Sequence, residues 1–166
     1  MSTLHSFLIL AFAGLLLYAA FSDLRRFEIP NAVPLTLLVL YPIFAASLPA
    51  PSPLLAAPLV ALTVFVVGVL LYARGLLGAG DVKLLAVASL WIGPGRCLDF
   101  VSMTAIVGGV LGTILLTRIG RAGFDRLRAP GADHEARIKG FRRPMPYGVA
   151  ITAAALVTVL QPILAE

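Results

Sequence analysis

Six apolar stretches of near-spanning length, at roughly 4–22, 32–48, 54–73, 83–93, 99–117 and 145–164, constrain this chain more than any motif in it. A helix needs about 20 residues to cross the hydrocarbon of a bilayer. Lipid offers nothing to an unpaired backbone N–H or C=O, so runs of this kind cross as helices. The expected fold is all-α: a polytopic membrane protein of about six transmembrane helices, forming a single membrane-embedded domain over residues 1–166. Composition excludes the soluble alternative. A chain that is 60% hydrophobic and 13% charged, with mean hydropathy +0.98, lacks the polar surface to cover a globular core.

The fourth stretch is short for a span, so it either starts inside the Gly78–Asp81 turn or is shielded by its neighbours. The first has no basic leader and no small-residue cleavage site, and further spans follow it. It reads as a retained helix rather than a signal peptide. Pro30, Pro34, Pro49, Pro51, Pro53, Pro94 and Pro144 fall at or near proposed ends, where residues unable to continue a helix belong. Pro42 and Pro58 fall inside spans and predict kinks.

Charge then sets an orientation. With six spans, Arg25, Arg26, Arg74, Lys83 and the eight basic residues of the loop 118–143 share one side, and Arg96 stands alone on the other. The positive-inside rule puts the first group in the cytoplasm and both termini outside. The basic loop reads as a solvated cytoplasmic connector held against anionic lipid headgroups, with substrate reception as the sharper alternative. Because the net charge of +5 lies between apolar spans rather than on a soluble face, it does not point to nucleic acid. The lone Cys97 excludes an internal disulfide and reads as a small apolar filler. His5 and His134 have no ligand partner at metal-binding spacing, and no metal or other cofactor is expected. Gly108 and Gly112 have the spacing of close helix packing, and Trp91 suits an aromatic belt at the outer face.

Acids are few enough to weigh one by one. Asp23 follows the first span in "FSDLRRFEIPN" and Asp81 precedes the fourth in "GAGDVKLL". The span arrangement puts both at the same face and at similar depth. One reading is structural: Asp23 pairs with Arg25 or Arg26, and Asp81 caps the fourth helix at the positive end of its dipole. The other is catalytic. Two acids brought together share one proton, since adjacent negative charges cannot both ionise cheaply, and such a pair suits aspartic proteolysis. Gly78 and Gly80 favour the catalytic reading, because they permit a positive-φ turn and the close approach of another chain, neither of which a cap needs.

The pattern Asp23-x5-Ile29-Pro30-Asn31 with Gly78-x-Gly80-Asp81-x-Lys83-Leu84 resembles the type IV prepilin peptidases, membrane aspartic proteases with a GxGD motif. A third patch, Pro146-Tyr147-Gly148-Val149-Ala150-Ile151, is similar to that family's PYG-Ala-Ile segment, and the three patches occur in the family's order. The resemblance implies that Asp23 and Asp81 are the catalytic pair. It further implies a prepilin or pseudopilin substrate, with a short basic leader ahead of a hydrophobic helix, cut after a glycine at the cytoplasmic face of a bacterial inner membrane. Larger members carry an N-terminal cytoplasmic domain with paired cysteines and N-methylate the new pilin terminus. This chain begins with its first helix and has one cysteine, so a peptidase without methylation is expected, similar to the compact enzymes of tight-adherence (Flp) pili or to archaeal preflagellin peptidases, the first being preferred.

Supporting residues follow more weakly. Lys83 either tunes Asp81 or contacts substrate, or else snorkels at a helix end. Pro30 and Asn31 start the second helix and fix the loop that carries Asp23. Pro146, Tyr147 and Gly148 line the site, or Tyr147 is an interfacial anchor. Two other classes of function compete: a proton-coupled transporter, which would hold its acids near the bilayer midplane, and a structural component of a pilus or secretion assembly, which would tolerate Asp81→Asn.

Overall fold

The computed structural model describes residues 3–48, 55–117 and 146–164, and they are helical almost throughout. Among the described residues six α-helices follow one another: α1 (Thr3–Arg26), α2 (Ala32–Ala46), α3 (Ala56–Ala73), α4 (Ala79–Ile92), α5 (Cys97–Leu116) and α6 (Tyr147–Leu164). A single 3₁₀ turn, Pro94–Arg96, joins α4 to α5. All six expected apolar stretches are helices. Three of them, Thr3–Arg26, Ala56–Ala73 and Pro94–Leu116, are long and apolar enough to cross a membrane. The chain is an all-α membrane protein. The basic loop 118–143 lies outside the described residues.

α4 is the hub, packing against α2, α3, α5 and α6. Its short apolar run starts inside the glycine turn, at Ala79, which makes Asp81 its third residue. The core gathers Leu8, Phe12, Leu16 and Ala19 of α1, Val33, Leu37 and Phe44 of α2, Leu84, Ala88 and Trp91 of α4, Phe100 of α5, and Ile151, Ala154 and Ala155 of α6. Interhelical hydrogen bonds reinforce it: Thr152 Oγ1 donates to the Leu16 carbonyl at 2.9 Å, and an Arg96 guanidinium N–H donates to that of Thr158 at 2.6 Å. Between helices in lipid the apolar driving force is weak, so packing and such bonds carry the association.

Trp91 corrects an expectation. It is buried rather than belted at an interface, stacked on Phe12 and Phe44 with centroids 4.9 and 4.6 Å away, and its indole N–H donates to the Leu37 carbonyl at 2.9 Å. Its one polar atom is satisfied by another helix, so it has no need of the headgroup region. Pro58 also departs from expectation. As the third residue of α3 it lies in the first turn, where its missing N–H has no helical partner to lose. Pro42 does lie inside α2. Gly108 and Gly112 are buried on one face of α5, as their spacing implies, and a Cβ on Gly108 would stand 3.0 Å from the Tyr147 ring. Cys97 is a buried filler.

Candidate active site

Asp23 ends a stripe. Along α1 the buried positions are Leu8, Phe12, Leu16, Ala19 and Asp23, spaced by three or four residues, so the acid continues the inward face of the helix. Asp23 therefore lies within α1 rather than after it. On α4 the inward series Asp81, Leu84, Ala88 and Trp91 has the same spacing and starts with the second acid. Asp23 and Asp81 are 4% and 7% exposed, and Ile29 bridges their surroundings, packing on Gly148 beside Asp23 and on Gly80 beside Asp81.

Each acid is held by a backbone amide. Asp81 Oδ2 accepts from the Gly78 N–H at 3.1 Å, the return bond of an N-terminal cap on its own helix, Gly78 having no side chain to complete a capping box. The cap reading of Asp81 is thus correct and compatible with a second role, because Asp81 Oδ1 is buried and bonds none of the described residues. Asp23 Oδ2 accepts from the Gly148 N–H at 2.7 Å, from 125 residues further along the chain. That bond replaces the expected pairing with Arg25 or Arg26; the Arg25 guanidinium lies over the Phe21 ring, 4.7 Å from its centroid.

The glycines act through missing side chains rather than unusual φ. Gly78 is extended at φ −80°, and Gly80 sits inside the first turn of α4, so the expected positive-φ turn is not formed there. Close approach is: a Cβ on Gly80 would lie 3.1 Å from Ile29 Cβ, and one on Gly148 would lie 2.8 Å from Asp23 Oδ2 and 3.1 Å from Ile29 Cδ1. Ile29 thus touches both acid-bearing neighbourhoods. Sequence reasoning names Pro30 and Asn31 as supports and misses Ile29, although it is the apolar member of the same Ile-Pro-Asn triplet.

The connector between α1 and α2 is fixed at several points. Phe27 takes a left-handed φ of 52° and its N–H donates to the Asp23 carbonyl, while Ser22 Oγ donates to the Glu28 carbonyl at 2.7 Å. Pro30 and Asn31 precede α2 as expected, the Pro30 carbonyl accepting from the Val33 N–H. The Asn31 side chain does not cap α2. Its Oδ1 instead accepts from Lys83 Nζ at 2.9 Å, clamping the exposed rim of α4 to the Asp23 connector. Lys83 is therefore tied to a neighbour rather than snorkelling. Pro146 accepts from the Val149 N–H to open α6, and Tyr147 packs its ring on Gly108. All three sequence patches converge on one end of the bundle.

The family model for the type IV leader peptidase family matches residues 10–113, well over half of the chain and both acids. The chain belongs to that family. The match stops short of the Pro146–Ile151 patch, so the contact of Gly148 with Asp23 is a finding of the structure alone. No curated protein and no solved structure matches the chain. As a leader peptidase it is a membrane-embedded hydrolase of the prepilin-processing type.

Proposed function

We propose that this leader peptidase is an aspartic endopeptidase whose catalytic pair is Asp23 and Asp81. The observation that carries the reading is the gathering of two buried acids at one end of the bundle around Ile29, each steadied by one backbone amide, with Asp81 Oδ1 left for the reacting groups. One carboxylate, ionised, takes a proton from water as the water oxygen bonds to the scissile carbonyl carbon. The other, protonated, hydrogen-bonds the carbonyl oxygen and stabilises the charge that develops there. Collapse of the tetrahedral intermediate breaks the C–N bond, and the leaving amine takes the proton from the first carboxyl. Lys83, Asn31, Pro30, Gly78, Gly80, Pro146, Tyr147 and Gly148 hold this geometry; none is assigned a proton-transfer role.

The substrate class is a prepilin or pseudopilin, cut after the glycine that ends its short basic leader, with its hydrophobic helix lying among the enzyme's apolar helices. The charge asymmetry supports cleavage at the cytoplasmic face of the inner membrane, with both termini of the enzyme outside. The further reading is of a Flp-type peptidase that does not methylate its product. Co-expression with prepilins, followed by mass spectrometry of the pilin, tests the reading. The expected product lacks its leader and carries no methyl group, and Asp23→Asn and Asp81→Asn each leave the precursor uncut; processing by either variant at the wild-type rate overturns the aspartic assignment. A reporter fused within 118–143 reads cytoplasmic in this orientation, and a periplasmic signal there reverses it.

A further inference from the structure

We infer that Gly148 is a positioning residue for Asp23, and that the amino end of α6 is built to hold that carboxylate. The inference rests on the aspartic reading above. Gly148 is the second residue of α6, so its N–H is one of the first-turn donors that the helix itself leaves without a partner. Asp23 Oδ2 fills that role from another helix at 2.7 Å. An acid at this place also meets the positive end of the α6 dipole. Asp23 is thus an N-terminal cap supplied in trans, as Asp81 is one supplied in cis through Gly78.

The glycine is required by the same geometry. A Cβ at 148 would stand 2.8 Å from Asp23 Oδ2 and 3.1 Å from Asp23 Cβ, with Ile29 Cδ1 closing a third side at 3.1 Å. Ile29 Cδ1 ends a half-buried chain and can turn aside, but Asp23 Cβ and its carboxylate are buried, so the acid must take up the displacement. A methyl group there displaces the carboxylate, and a displacement of about 1 Å in a catalytic group costs on the order of 100-fold in rate. Other contacts hold α6 in register. Thr152 bonds to α1 one turn further on, and the Tyr147 ring seats on Gly108 of α5.

The test measures kcat and KM for cleavage of a prepilin by the full chain in nanodiscs. Gly148→Ala is expected to lower kcat about 100-fold with KM within about 3-fold of wild type. Gly109→Ala adds its methyl where no atom lies within 4 Å and is expected to cleave at the wild-type rate. A second variant replaces Gly148 by glycolic acid through suppression during cell-free synthesis. It turns the donor N–H into an ester oxygen without adding a side chain, and is expected to lower kcat at least 10-fold at unchanged KM. A folded Gly148→Ala protein with wild-type kcat overturns the inference, as does an ester variant with wild-type kcat. If Gly148→Ala fails to fold, the ester variant decides alone. A role in packing only would lower the unfolding temperature or raise KM without the selective loss of kcat. Asp23→Asn and Asp81→Asn, run alongside, separate the two ideas. If both are inactive while the Gly148 variants cleave normally, only the positioning role falls; if the Asp variants cleave normally, the aspartic reading falls and this inference with it.

Discussion

Helices α3 and α4 lie side by side and are treated in opposite ways. α3 has the highest hydropathy of the three long spans, yet only Ala57 and Gly68 of its 18 residues are buried. α4 carries Asp81, Lys83 and Ser89, and eight of its 14 residues are buried. In a soluble protein the order would be reversed, because water drives the most apolar helix inward. In lipid both environments are apolar, so burial follows packing and polar satisfaction instead. The helix that must be shielded is the one with an acid to keep from lipid. Its neighbour is apolar on every side because much of its surface faces acyl chains.

That contrast can be broken or sharpened by substitution. The largest difference is expected between Trp91→Ala on α4 and Leu62→Ala on α3. The first removes two aromatic stacks and the bond to the Leu37 carbonyl, and should cost about 3–5 kcal/mol of stability. The second exchanges one lipid-facing apolar surface for another at a 57% exposed position and should stay within about 0.5 kcal/mol. Reversible unfolding in bicelles measures both, and equal losses would show that α3 is packed as α4 is. A smaller effect is expected at the seam between the two helices. A Cβ on Gly68 would already stand 2.8 Å from Val82 Cγ1, so Gly68→Leu should push α3 off α4 and cost about 1–3 kcal/mol. Wild-type stability there would mean that α3 is free to shift without disturbing the helix that carries Asp81.

Much of the fold is legible in the sequence because apolar runs and their breakers are local signals. The six stretches are the six helices of the described residues, and Ala79 begins α4 inside the glycine turn as its shortness suggests. Part of the site is legible for the same reason: positions 8, 12, 16, 19 and 23 follow a helical period that turns Asp23 inward before any partner is known. What escapes is tertiary. Nothing local distinguishes a Gly80 that turns the chain from a Gly80 that admits Ile29, or an Asn31 that caps its own helix from one that receives Lys83 across 52 residues. Trp91 misleads because composition places tryptophan at interfaces, while the carbonyl of Leu37 places this one inside. Gly148 stands in a recognisable patch, but its role depends on a distance between the first and last helices that no sequence window spans.

The bond between Asp23 and Gly148 also bears on how the protein is made. Asp23 is synthesised early, Asp81 follows within α4, and the amide that anchors Asp23 emerges only after α5 and the basic stretch behind it have been translated. Until α6 is made, the Asp23 carboxylate lacks the amide that it bonds in the finished fold. Order of synthesis thus makes the last of the described helices the one that completes the setting of an acid carried by the first.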